Sequence, residues 1–199
     1  MTAPPRVVPG WTIVSAALAP VVLIGGWTLA ATRQPDRYSA VRESISALAA
    51  HGATDRWIMT TGLAALGACH VVTALGLRPA RPGGRWLLAI GGVGTLTVAA
   101  APQPAHGSSQ LHLTAAAVGF VTLSLWPLFA ASAAGPIVAR RRCGTVVTVL
   151  LVVLLVWLGL EIGGGALLGL SERMLAGAQA LWPLVIVLAL RTRAARMTA

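Results

Sequence analysis

The chain has 199 residues, 56% of them hydrophobic and only 10% charged, and its mean hydropathy is +0.79. Soluble domains carry about 25% charged residues, so this composition excludes a water-soluble exterior and makes the bilayer the natural solvent. The net charge of +10 comes from 15 basic residues, all arginine, in short clusters between apolar runs. No basic face is drawn out along the chain as a nucleic-acid surface requires.

A membrane-crossing helix needs about 20 predominantly apolar residues. Six stretches meet this: 11–32, 56–77, 85–103, 110–133, 144–168 and 174–190. The expected fold is therefore all-α: one polytopic membrane domain over 1–199, with six transmembrane helices. The first apolar run is longer than a signal-peptide core and is read as a retained helix. The joints carry turn chemistry, in RPARPGGR (78–85), APQPAHGSSQ (101–110), GPIVARRRCG (135–144) and GLSER (169–173). Pro20, Pro127 and Pro183 fall inside spans and are expected to kink them.

Six crossings put both termini on one side. Ten arginines (Arg6, Arg78, Arg81, Arg85, Arg140, Arg141, Arg142, Arg191, Arg193, Arg196) share a face with them. The other five (Arg33, Arg37, Arg42, Arg56, Arg173) lie opposite, as do all five acids: Asp36, Glu43, Asp55, Glu161 and Glu172. The positive-inside rule makes the ten-arginine face cytoplasmic. Exclusive use of arginine points to a GC-rich bacterial genome, and hence to the bacterial inner membrane. Trp11, Trp27, Trp57 and Trp86 fall near span ends, where indole sits well at the headgroups. Cys69 and Cys143 both fall toward the cytoplasm, and no disulfide framework is expected.

The first outer loop, RYSAVRESISALAAHGATDRW (37–57), is unlike the rest in its polarity. Tyr38, Val41, Ile45, Leu48 and Ala49 recur at helical spacing, opposite Ser39, Arg42, Glu43 and Ser46. A short amphipathic helix over 36–52, stopped at Gly52, is expected to lie at the outer interface or folded back over the mouth of the bundle. Asp55 is placed to cap the second span.

At this point the chain resembles a known family. YSAVRESISALAAHG between the first two spans, HGSSQLH entering the fourth and GLSERMLAGAQALW entering the sixth are similar to the bacterial membrane family called domain of unknown function 998. The likeness runs over roughly 11–190. It implies a six-span integral membrane protein and no particular activity. Family members often carry an Asp after the proline of the third-to-fourth loop, where Gln103 stands here.

Three histidines, His51, His106 and His112, gather on the outer side. Glu161 falls in the outer third of the fifth span, where an acid is costly unless it faces the bundle or water. Two roles are open to it: pairing with an arginine or histidine to fix the bundle, or serving a site. An outward-opening pocket would draw on Glu43, Ser46, Asp55 and Glu161, with Arg42 and Arg173 as anion binders. The catalytic candidates are Glu161, His112, His106 and His51. No cofactor is expected. Zinc on His51, His106 and His112 is the lesser alternative, since no H-E-x-x-H or Cys-x-x-Cys spacing supports it. Ser44 and Ser46 lack an elbow motif, and His70 has no evident partner. The expected function is binding of a lipid or amphiphile at the outer leaflet, or assistance to a membrane partner. The alternatives are a membrane-embedded hydrolase or transferase acting on a lipid-linked substrate, and a small transporter subunit. Expected partners are membrane lipids, with a homo-oligomer or partner protein possible.

Overall fold

The computed structural model describes residues 7–132 and 136–198, the last four by backbone alone. Arg6 and the Arg196 side chain, both assigned to the cytoplasmic face, lie outside the described residues. Among the described residues there are six α-helices: α1 (Gly10–Ala31), α2 (Trp57–Gly76), α3 (Pro82–Ala100), α4 (Gln110–Ala130), α5 (Arg141–Glu161) and α6 (Leu168–Thr198). No strand occurs among the described residues. Five helices, all but α3, are long and apolar enough to cross a membrane. The chain is a multi-pass membrane protein. α3 falls below that mark because it opens on Pro82-Gly83-Gly84-Arg85 and carries three further glycines and two threonines in its 19 residues.

Each helix packs on the next, and α1 closes the ring against α6. Contact is closest along α2–α3–α4, where glycine lets backbones approach. A Cβ on Gly92 would lie 2.7 Å from the Gly67 carbonyl of α2, and one on Gly91 would drive into Leu123 of α4. That explains the glycines of α3, and with them its low hydropathy. α5 sits on the periphery, with Leu150, Val153, Val156 and Leu160 exposed.

Two ends are distinct. At one, Arg81 N donates to Ala130 O (3.2 Å), Arg85 Nε to Ala74 O (2.9 Å) and Arg191 Nη1 to Val8 O (3.2 Å). The arginine-rich joints lie here. At the other, residues 32–56 and 101–109 join, with His51 N donating to Gln103 O at 3.0 Å. Trp57 and Trp86 are exposed at opposite ends, whereas Trp126 is buried.

Two local expectations are corrected. The segment 36–52 is not a continuous amphipathic helix: it is a succession of turns with a single 3-10 turn at Ser46–Ala49. GLSER is not a joint. It belongs to α6, and the break falls at 162–167, where Gly164 adopts φ +109°, a conformation open to glycine at little cost. Hence α5 ends, and α6 begins, some six residues earlier than hydropathy alone placed them.

Candidate functional site

The first loop forms a cap that docks onto the first turns of α6. The opening N–H groups of a helix have no partner within it, and Leu170 N finds one in Val41 O at 3.0 Å. Arg173 Nη1 donates to Ala40 O and Glu43 O, both at 2.8 Å, and to Gly169 O at 3.0 Å. Its Nη2 donates to the Tyr38 hydroxyl at 2.6 Å, and the guanidinium lies 5.9 Å from the Trp27 ring centroid. Glu43 turns back to accept from Ser39 N at 3.0 Å. Glu172 is buried, and its Oε2 accepts from Ile45 N at 2.6 Å. Burial raises the Tyr38 phenol above its usual range, against the pull of the Arg173 guanidinium that it faces.

Beneath the cap, Ser46 meets His112. His112 is buried at the start of α4, whose first turn is capped by Ser109 Oγ accepting from His112 N at 3.3 Å. Its Nδ1 lies 2.9 Å from Ala101 O, and its Nε2 lies 3.0 Å from Ser46 Oγ. A carbonyl only accepts, so Nδ1 carries the proton of the neutral ring, and Nε2 accepts from the serine. The tautomer is set by the chain, not by solvent.

Two spaces adjoin this contact. A groove of about 410 Å³ opens at the cap end, between the cap and the 103–107 loop. Arg37, Glu43 and Gln103 are among its polar lining residues, and Leu48, Ala53 and Pro104 among its apolar ones. A smaller cavity of about 60 Å³ lies inside the helix ring. Glu172, Ser46, Gln179 and His70 line it, among leucines, alanines and Phe120. His70 is 1% exposed, and among the described residues neither ring nitrogen has a hydrogen-bond partner.

The segments that build this end belong to a family pattern. Residues 17–189 match the model of the family described as protein of unknown function (DUF998). The chain belongs to that family. No curated protein and no solved structure matches it.

Within this DUF998 chain, the three motifs read from the sequence meet at one place. The first supplies Tyr38, Glu43, Ile45 and Ser46, the second His112, and the third Gly169, Glu172, Arg173 and Gln179. The other predicted residues stand apart. His51 is exposed, with Nδ1 3.1 Å from Arg56 Nη1. His106 and Arg42 are exposed. Asp55 does not cap α2: its carboxylate lies 4.0 Å from Arg33 Nε, and its carbonyl accepts from Ile58 N. Among the described residues Glu161 pairs with neither arginine nor histidine. It closes the end of α5 on itself, accepting from Trp157 Nε1 at 3.2 Å and from Leu167 N at 2.9 Å. Among the described residues no three His, Cys, Asp or Glu side chains converge as a metal site requires.

Sequence reading overlooked His70 and Gln179 as site residues and placed Glu172 in a joint. Gln179 had a usable signal, a lone amide inside an apolar span, which is paid for only by facing protein or a polar cavity.

Proposed function

We propose that this chain crosses a bacterial inner membrane six times, with both termini cytoplasmic, and binds an amphiphile at the outer leaflet through its cap. α3 is the sixth crossing: it packs along its length between α2 and α4, both apolar enough to span. The arginine imbalance between the two ends supports the orientation. The groove beside the cap carries the functional reading. Its volume of about 410 Å³ falls in the ~300–1,000 Å³ range of small-ligand sites. Its lining combines charged and hydrogen-bonding groups with apolar ones, the combination that a lipid headgroup and its first methylenes require.

Native mass spectrometry of the full chain released from mild detergent tests this. The expected spectrum carries a lipid-mass adduct, and Ala53→Trp, which fills the groove from its lining, removes it. A bare wild-type chain, or an adduct indifferent to Ala53→Trp, counts against the reading.

A second reading, an acyl-transferring membrane enzyme, draws on the Ser46–His112 contact. A serine whose proton is directed at an imidazole, itself oriented through its other nitrogen, has the arrangement of an activated nucleophile. Labelling by a fluorophosphonate, lost in Ser46→Ala, is its signature. Failure of the wild type to label removes it.

A further inference from the structure

The cavity inside the ring is lined by polar groups at two depths and by apolar side chains. Glu172 and Gln179 are two turns apart on α6, roughly 10 Å along its axis. Ser46 accompanies Glu172 at the cap end. His70, thirteen residues into α2 from Trp57, lies deep in the bundle with Gln179.

The protons of the lining side chains are almost all committed elsewhere. Ser46 gives its proton to His112 Nε2. Thr95 Oγ1 donates to Gly91 O at 2.9 Å. Gln179 Nε2 uses both hydrogens, on Phe120 O (2.9 Å) and Ser124 Oγ (3.0 Å), which leaves Oε1 to accept. Glu172 has one oxygen on Ile45 N and the other available. A neutral His70 offers one acceptor and the only uncommitted side-chain donor. Arg173, the nearest cation in sequence, is spent on the cap and does not line the cavity. The space is therefore rich in acceptors, poor in donors and carries one carboxylate. Left ionised, a buried carboxylate with a single donor is costly unless a cation joins it. Buried imidazole nitrogens likewise call for a partner. The volume, about 60 Å³, is several times what one water needs.

We propose that this cavity binds a linear aliphatic amine whose far end carries a second hydrogen-bonding group, an amino alcohol or a diamine. Its ammonium donates to Glu172 and Ser46. Its methylenes lie against Leu63, Leu66 and Ala176. Its far hydroxyl or amine meets Gln179 Oε1 and His70. This ligand goes beyond the amphiphile assigned to the groove, and the two sites share no lining residue.

The test is thermal unfolding of the full chain in nanodiscs of phosphatidylcholine, whose quaternary nitrogen donates no hydrogen bond. Linear amino alcohols and diamines of increasing length are compared with the corresponding diols and simple alkylamines. A saturable rise in melting temperature is expected from the bifunctional amines, greatest at the length that spans the two ends, and none from the diols. Glu172→Gln abolishes the rise. His70→Phe reduces it to that of the simple alkylamine. Ala176→Leu, which fills the cavity while keeping every polar group, also abolishes it and serves where Glu172→Gln fails to fold. Equal shifts from diols, no shift from any amine, or a shift surviving Ala176→Leu overturns the proposal. The lipid adduct in the groove is indifferent to Ala176→Leu, so failure of either reading is seen separately.

Discussion

Arg173 of α6 donates to the Tyr38 hydroxyl at 2.6 Å while its other terminal nitrogen reaches the carbonyls of Ala40 and Glu43. One guanidinium thus holds the cap closed at several points, which a planar fork of five donors does and an ammonium does not. Arg173→Lys is expected to loosen the cap while leaving the helix ring in place. Hydrogen bonds to charged groups contribute about 1.5–3 kcal/mol each and are not additive, so the net cost is placed at about 2 kcal/mol. Hydrogen exchange reads it as faster exchange at Leu170 N and Ile45 N without change in the cores of α2 and α3. Unchanged protection at both amides would show that the arginine holds nothing.

Tyr38 is the only tyrosine in the chain, so its ionisation is visible directly by ultraviolet absorbance. Burial raises it, and the Arg173 charge only partly opposes that. Its neutral form is the one favoured by folding. The unfolded chain's phenol ionises first, near the usual value of about 10. The stability that Tyr38 contributes is complete below that pH and is lost as pH rises through the folded value. The folded protein is expected to titrate above free tyrosine and to fall back on denaturation. A Tyr38→Phe chain is expected to lose this part of its alkaline sensitivity.

Gly169 lies where the cap crosses α6. A Cβ there would run into the backbone carbonyls of Glu43 and Ala40 and into Arg173 Nη1. Backbone yields less readily than a side chain, and overpacking of this kind costs about 1–3 kcal/mol. Gly169→Ala is expected to lower the melting temperature in detergent, though alanine is the better helix former. By contrast, Gly159 of α5 has open space around its Cβ position, and Gly159→Ala is expected to be neutral or stabilising. If the two variants melted alike, the close approach of cap and helix would not matter.

The two acids near the α5–α6 joint exchange the roles that sequence reading gave them, and the reason is physical. Hydropathy located the helices well because a bilayer demands long apolar runs. It misjudged the joint because Ile162 to Leu167 carry no charged or polar side chain to interrupt the span, and the glycines that break the helix also occur inside helices here. With the break placed too late, Glu161 looked intramembrane and Glu172 looked like a loop residue. The fold of the cap was equally hidden. Its hydrogen bonds run to α6, as far as 135 residues along the chain, whereas sequence periodicity reports only neighbours three or four positions apart. Glu161→Gln keeps an acceptor for Trp157 and Leu167 N, so its melting temperature is expected to stay close to wild type. Glu172→Leu removes the acceptor of Ile45 N from a buried position and is expected to cost about 1–3 kcal/mol. Loss of folding in Glu161→Gln alone would reverse the assignment.

The orientation rests on which end of the ring faces the cytoplasm, and the chain carries a natural reporter. Cys143 is a free, partly exposed thiol at the start of α5, beside Arg140, Arg141 and Arg142. His106 is exposed at the opposite end, in the loop that borders the groove. A cysteine introduced there (His106→Cys) in a chain lacking Cys69 and Cys143 is the complementary probe. In intact cells with a permeabilised outer membrane, a membrane-impermeant maleimide is expected to react with His106→Cys and to spare Cys143. In inverted vesicles the pattern is expected to switch. Arginine at the cytoplasmic headgroups is favoured by anionic lipid and by resistance to translocation, and nothing at the cap end competes with it, since five acids balance five arginines there. Reaction of Cys143 from outside would place the cap in the cytoplasm, and the amphiphile read from the groove would then have to come from the inner leaflet.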